Sequence, residues 1–128
     1  MRKLPVLACK FLFRMSPATA LAIAVAIAVL SLLPQEDVPG TGLDDQVNHF
    51  IAYGALSFTT ALAIENPRWW KLGALLICYG VALEALQAVM PFDRYASAAD
   101  GLANAFGVLF GLLAHRAFLW GSGRLFEV

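Results

Sequence analysis

The stretch that decides the fold is Leu72 to Met90, LGALLICYGVALEALQAVM, which is apolar except for the strongly polar Glu84 and Gln87. At about 1.5 Å of rise per residue, a helix of this length crosses the ~30 Å hydrocarbon core of a bilayer. A carboxylate inside such a helix is costly in lipid and is normally held by a partner within the protein. The stretch therefore predicts a transmembrane helix with a polar group turned inward.

The whole chain has the composition of a membrane protein. Its 128 residues are 60% hydrophobic and 14% charged, with a mean hydropathy of +0.71, which is more apolar than is usual for a soluble domain. The formal net charge of zero lacks the basic excess of a nucleic-acid-binding protein, so no nucleic-acid partner is predicted. Cys9 and Cys78 have no neighbour at metal-ligand spacing and are interpreted as small apolar residues.

Three further apolar stretches predict an all-α bundle of four transmembrane helices. The first stretch would begin with Ser16 as N-cap and Pro17 at the first helical position. No small-x-small cleavage site follows it, which favours an uncleaved span over a signal peptide. Turns rich in proline and glycine separate the helices. The four spans are predicted at residues 18–33, 46–64, 69–90 and 97–120.

The predicted bundle, residues 18–120, forms one domain between two short segments. Residues 1–17 form a basic leader, of which 4–15 would lie along the membrane surface before the chain turns inward. Residues 121–128 form a short tail. Of the nine lysines and arginines, eight lie on the side of the two termini, and only Arg94 lies on the other side. The positive-inside rule therefore predicts that both termini face the cytoplasm.

Polar residues on three predicted helices fall at the same, outer end of the bundle. They form one pair on each helix, Asp45 with His49, Glu84 with Gln87, and Asp100 with Asn104. The members of a pair are three or four residues apart and therefore share one face of their helix. Glu84 would be the deepest, about 10 Å below the outer boundary at 1.5 Å per residue. Facing inward would spare these groups from lipid. The pattern predicts one polar cluster formed by Asp45, His49, Glu84, Gln87, Asp100 and Asn104, with Arg94 in the joining loop.

Simpler structural roles compete with this interpretation. Asp100 stands three residues after Ser97, as in a capping box, and Asp44 or Asp45 is a candidate N-cap of the second helix. His115, beside Arg116, is interpreted as an interface anchor. No helix end explains a carboxylate as deep as Glu84. On the last helix, the Gly107-x-x-x-Gly111 spacing predicts close packing against a neighbouring helix.

The polar pattern resembles the VanZ-like family, small bacterial membrane proteins named for a teicoplanin-resistance component. The matching run covers residues 43 to 113: Asp45-x-x-x-His49-Phe50-Ile51-Ala52-Tyr53-Gly54, Glu84-x-x-Gln87, and Arg94-x-x-Ser97-x-x-Asp100-x-x-x-Asn104-x-x-Gly107-x-x-x-Gly111. Gln46 departs from the family, which often has lysine after the motif aspartate. The resemblance implies a multi-pass protein of the bacterial inner membrane with a cell-envelope role. It does not imply teicoplanin resistance for this chain.

Three functional hypotheses follow. In the first, the outward-facing cluster binds or processes a lipid-linked envelope intermediate, with His49 and Glu84 as candidate acid/base catalysts. Gln87 and Asn104 would orient groups by hydrogen bonds, and Arg94 would meet a phosphate. In the second, the cluster only fixes helix packing, and the protein is an accessory subunit of an envelope-assembly complex. In the third, Glu84 is the relay of a small ion-coupled carrier, which would require a homo-oligomer.

No cofactor is predicted from the sequence. A metal held by Asp45, His49, Glu84 and Asp100 is chemically feasible, but their spacing is not a recognised ligand motif. No metal site is therefore predicted. The lipid bilayer is the one partner implied directly by composition, and envelope precursors or envelope-assembly proteins follow only from the resemblance.

Overall fold

A computed structural model describes residues 3–64, 67–91 and 95–126 of the chain, with side chains over 6–64, 67–91 and 95–123. Across this part, the chain forms four α-helices and a short 3-10 turn at Gln35–Asp37, with no β-strand. The predicted all-α fold is confirmed. The helices are α1 (Lys3–Leu32), α2 (Asp45–Ala63), α3 (Trp69–Val89) and α4 (Ala98–Phe126).

Three of the described helices are long and apolar enough to cross a membrane, namely Val6–Leu32 of α1, all of α3 and Ala98–Gly123 of α4. This is the character of a membrane protein. Helix α2 does not reach the same hydropathy, because its first turns carry Gln46, Asn48 and His49. It contacts all three other helices, and α4 most extensively. Helix α2 is therefore the least apolar helix and also the one whose polar side chains can form hydrogen bonds with the other helices of the bundle.

The leader and the first span form one continuous helix, so the predicted start at Ser16 and Pro17 was wrong. Proline has no N–H and leaves the carbonyl four residues earlier without its helical partner, which in α1 is the carbonyl of Phe13. The Ser16 hydroxyl donates to that oxygen at 2.8 Å. The side chain before the proline thus replaces the missing backbone donor, and the helix continues through Pro17.

The bounds of α2 and α3 agree with the prediction to within one residue. Helix α4 continues to Phe126, six residues beyond the predicted end at residue 120, so most of the predicted tail is helical. Gly121 and Gly123 lie inside α4, although glycine is a weak helix former. Neither predicted segment boundary, after residue 17 or after residue 120, coincides with a helix end.

Helices α2 and α4 cross at three glycines. A Cβ at Gly107 would lie 2.5 Å from the Phe50 carbonyl oxygen, and one at Gly111 would lie 2.3 Å from the Gly54 carbonyl oxygen. Real Cβ atoms essentially never come within 3.0 Å, so only glycine permits this approach. The structure therefore places Gly107 and Gly111 in a backbone-to-backbone contact of the kind that small-x-x-x-small spacing allows.

Candidate functional site

The C-terminal ends of α1 and α3 and the N-terminal ends of α2 and α4 meet at the same end of the bundle. Side chains from α2 and α4 interlock there. His49 Nδ1 lies 2.8 Å from Asn104 Oδ1, and Gln46 Nε2 donates to Asp100 Oδ1 at 3.2 Å. We call this group the α2–α4 cluster, formed by Asp45, Gln46, His49, Asp100 and Asn104.

Asn104 orients the imidazole of His49. The amide oxygen can only accept, so Nδ1 of His49 carries the hydrogen and donates it. In the neutral ring, the lone pair is then on Nε2, which lies 4.0 Å from Asp45 Oδ2. Asn104 itself is 3% exposed, and its amide group fits against α3 because Gly80 has no side chain there. The arrangement presents Nε2 as a fixed acceptor or metal ligand.

Asp100 is a buried carboxylate, 7% exposed, in the first turn of α4. Its partner Gln46 was not predicted as a site residue, although Gln46 lies one turn before His49 on the same face. The Asp100 backbone N–H also lies 3.4 Å from Ser97 Oγ, which is half of the capping box considered from the sequence. The other half is absent, because Asp100 Oδ1 accepts from α2 and a different carboxylate binds the Ser97 backbone N–H.

That other carboxylate belongs to Glu84. Glu84 Oε2 accepts from the Ser97 backbone N–H at 3.3 Å. The N-terminus of a helix carries a partial positive charge and unpaired N–H groups, so a carboxylate beside α4 is stabilised there. The argument that no helix end explains Glu84 considered only its own helix and was incomplete. The relevant end belongs to α4, which tertiary packing brings alongside.

Gln87 has the complementary role at α1. It is buried, and its Nε2 donates to the Ser31 carbonyl oxygen at 2.6 Å. Ser31 is in the last turn of α1, where carbonyl groups have no partner within the helix. The predicted face-mates Glu84 and Gln87 therefore serve two different helix ends. Gln87 binds α1 and does not join the α2–α4 cluster.

The predicted single cluster is thus divided between two kinds of contact. Asp45, His49, Asp100 and Asn104 lie together, whereas Glu84 and Gln87 bond to helix ends. Arg94 lies outside the described residues. Three possible metal-ligand atoms lie within 4.8 Å of one another among those residues. They are a ring nitrogen of His49 and one carboxylate oxygen each from Asp45 and Asp100.

A cavity of about 250 Å³ opens beside this cluster, between α1 and α2. Its lining combines polar and apolar side chains. The polar residues include Ser31, Thr41, Asp45, Asn48 and His49, and the apolar residues include Ile27, Leu30, Val38, Pro39 and Ala52. The chemistry of the lining suits a molecule that has both polar and apolar parts.

His115 lies at the opposite end of the bundle and is not an interface anchor. It is 1% exposed. The centre of its ring lies 4.9 Å from the ring centre of Trp69 and 6.2 Å from that of Phe58. Its Nδ1 is the one buried side-chain nitrogen or oxygen without a hydrogen-bond partner in the described part of the chain. The neighbouring Arg116 is exposed, which explains why their adjacency suggested an interfacial pair.

Comparison with protein-family models, with curated proteins and with solved structures finds no match to this chain. The functional argument therefore depends on the side chains described above.

Proposed function

We propose that this protein is a VanZ-like, multi-pass protein of the bacterial inner membrane that binds a lipid-linked envelope intermediate. The observation that carries the proposal is the amphipathic cavity beside the α2–α4 cluster. A polar head group would lie against Asp45, Asn48 and His49. The hydrocarbon chain would lie against Ile27 and Leu30 of α1, an apolar helix.

The proposed topology has four passes, with both termini in the cytoplasm and the α2–α4 cluster on the outer side. The uneven distribution of lysine and arginine supports this orientation. Reporters fused after Pro39 and after Pro67 are expected on opposite sides of the membrane. Finding both reporters on the same side would contradict the passage of α2 through the bilayer.

His49 is the residue that we assign to direct contact with the ligand. Its side chain is 12% exposed, and it lines the cavity with Nε2 held in a fixed direction by Asn104. This nitrogen has one lone pair, which either accepts a hydrogen bond from a polar group of the ligand or binds a metal ion that meets that group. Glu84 is assigned a positioning role at the start of α4.

Binding can be tested with the purified protein in nanodiscs. Replacing Ala52, which lines the cavity, by leucine would fill the space for the ligand. Ala55→Leu is the matched control, because Ala55 is on the same helix but is exposed and does not line the cavity. We expect Ala52→Leu to weaken binding of a polyprenyl phosphate about tenfold or more, equivalent to about 1.4 kcal/mol. Unchanged binding in Ala52→Leu would overturn the proposal.

A second candidate is a purely structural network in an accessory subunit. The bonds of Glu84 and Gln87 to the ends of α4 and α1 favour this alternative. Glu84→Gln removes the charge and keeps the shape, so it separates packing from envelope function. A structural network predicts loss of folded protein from membranes. Normal accumulation with loss of the envelope phenotype would favour a working site, and no change in either would contradict both roles of Glu84.

A further inference from the structure

We infer that Asp45, His49 and Asp100 form a site for a divalent cation of the Zn²⁺ or Mn²⁺ class, which would meet the phosphate of the bound lipid. The cation site is argued from the geometry of the α2–α4 cluster. The contact with lipid phosphate rests on the proposed function. The sequence analysis considered a metal on these three residues and Glu84 but predicted no site, because their spacing is not a recognised ligand motif; the structure brings the three together without Glu84.

The three candidate ligand atoms are close enough to share one ion. They lie within 4.8 Å of one another, and the imidazole nitrogen and the Asp45 oxygen are 4.0 Å apart. Ligand atoms at about 2.0–2.2 Å from the same ion are about 3–4 Å apart. Asp45 is 57% exposed and has no hydrogen bond through its carboxylate within the described residues. A rotation of this side chain brings its oxygen into range.

The groups behind these ligands are already arranged as in a metal site. Ligand histidines usually donate their other N–H to an oxygen, which fixes the ring and its tautomer. His49 does so to the buried Asn104. Asp100 is held by Gln46, so a second ligand also has a hydrogen-bonded support.

The charges of the cluster also favour a cation. Asp45 and Asp100 are both in the first turn of a helix, where the dipole stabilises a negative charge only in part. Within the described chain, the direct partners of the buried Asp100 carboxylate are neutral. A buried charge without an opposite charge is costly, and a bound cation would offset this cost.

The ligand types select the class of metal. One imidazole and two carboxylates suit Zn²⁺ or Mn²⁺, whereas Ca²⁺ and Mg²⁺ prefer oxygen ligands. Three protein ligands leave at least one coordination position for another donor. A phosphate oxygen could take that position, and the cation would overcome the repulsion between the phosphate and the two carboxylates.

Zn²⁺ is the probe for the test. The full chain in detergent would be stripped with a chelator, dialysed against Zn²⁺, and its metal content measured by mass spectrometry. We expect one Zn²⁺ per chain, lost in Asp45→Asn and in His49→Gln. Asp45 is exposed, so Asp45→Asn tests the site without disturbing packing. Asn104→Leu should weaken binding about 10–100-fold, because it removes only the support of the ligand.

Two controls match these variants. The chain has a second histidine, His115, which lies away from the cluster. His115→Leu therefore removes an imidazole, as His49→Gln does, but leaves the cluster intact. Asp44→Asn removes the acid next to Asp45. Both should retain wild-type Zn²⁺ binding. No Zn²⁺ on the wild-type chain, wild-type retention in Asp45→Asn or His49→Gln, or displacement by excess Mg²⁺ or Ca²⁺ would overturn the inference.

Measuring polyprenyl phosphate binding with and without the chelator separates this inference from the proposed function. Loss of lipid binding on removal of Zn²⁺ supports both. Zn²⁺ binding without lipid binding supports the cation site and contradicts the proposed function. Lipid binding that does not respond to the chelator contradicts the role assigned to the cation and leaves the proposed function intact.

Discussion

The contact between α2 and α4 can be tested by replacing Gly111 with alanine. The added Cβ would lie 1.9 Å from Ser57 Oγ and 2.3 Å from the Gly54 carbonyl oxygen. Real Cβ atoms stay at least 3.0 Å from such neighbours. Relief of the contact with Gly54 alone therefore requires a shift of 3.0 − 2.3 = 0.7 Å between the helices. The Gly54 oxygen is in the backbone, so a change of rotamer cannot provide this shift.

The expected cost follows from two opposing effects. Overpacking in a closely packed interior typically destabilises by about 1–3 kcal/mol. Alanine also favours the helix over glycine by about 1 kcal/mol. The difference between these two effects is about 0–2 kcal/mol. We expect Gly111→Ala to destabilise by about 1–2 kcal/mol, in the upper half of this range, because the added Cβ overlaps a backbone atom that cannot change rotamer. At about 4 °C per kcal/mol for a chain of this size, Tm should fall by about 4–8 °C.

Fluorescence-detected size-exclusion chromatography of heated, detergent-solubilised protein would measure this Tm. Gly121→Ala is the matched control, because Gly121 is on the same helix and nothing lies within 4 Å of its added Cβ. The control should be neutral or slightly stabilised. Ser57→Ala should not rescue Gly111→Ala, since the Gly54 oxygen remains. Equal Tm values for the two alanine variants would refute the close packing of α2 against α4.

Three further predictions use the same thermal assay. Ser16→Ala should destabilise by about 1 kcal/mol, because the Phe13 carbonyl loses its donor, and Pro17→Ala in the same chain should restore stability by supplying a backbone N–H; no rescue would contradict this explanation. Tyr79→Phe removes a hydrogen bond to an α1 carbonyl and should cost about 0.5–1.5 kcal/mol, whereas an unchanged Tm would contradict a stabilising bond. His115→Leu should stabilise by about 1 kcal/mol, since it removes a buried nitrogen without a partner; a lower Tm would indicate that the imidazole is needed.

Local sequence patterns were sufficient for the positions of α2 and α3. Long apolar runs bounded by proline and polar turns leave the backbone no better way to satisfy its hydrogen bonds in lipid than a helix. The same patterns misplaced the start of α1 and the end of α4. Proline was taken as a boundary, although the Ser16 hydroxyl compensates for it. Residues 121–128 were predicted as a tail, but the helix continues to Phe126.

The sequence by itself determined that the chain is helical and apolar enough for a membrane, and that its polar residues gather toward one end. These properties depend on composition and on spacing along one helix. Only the tertiary structure decided the partners, because a partner on another helix depends on rotation and depth of packing. Glu84 therefore bonds to the start of α4, Gln87 to the end of α1, and Asp45, His49 and Asp100 come within reach of one ion.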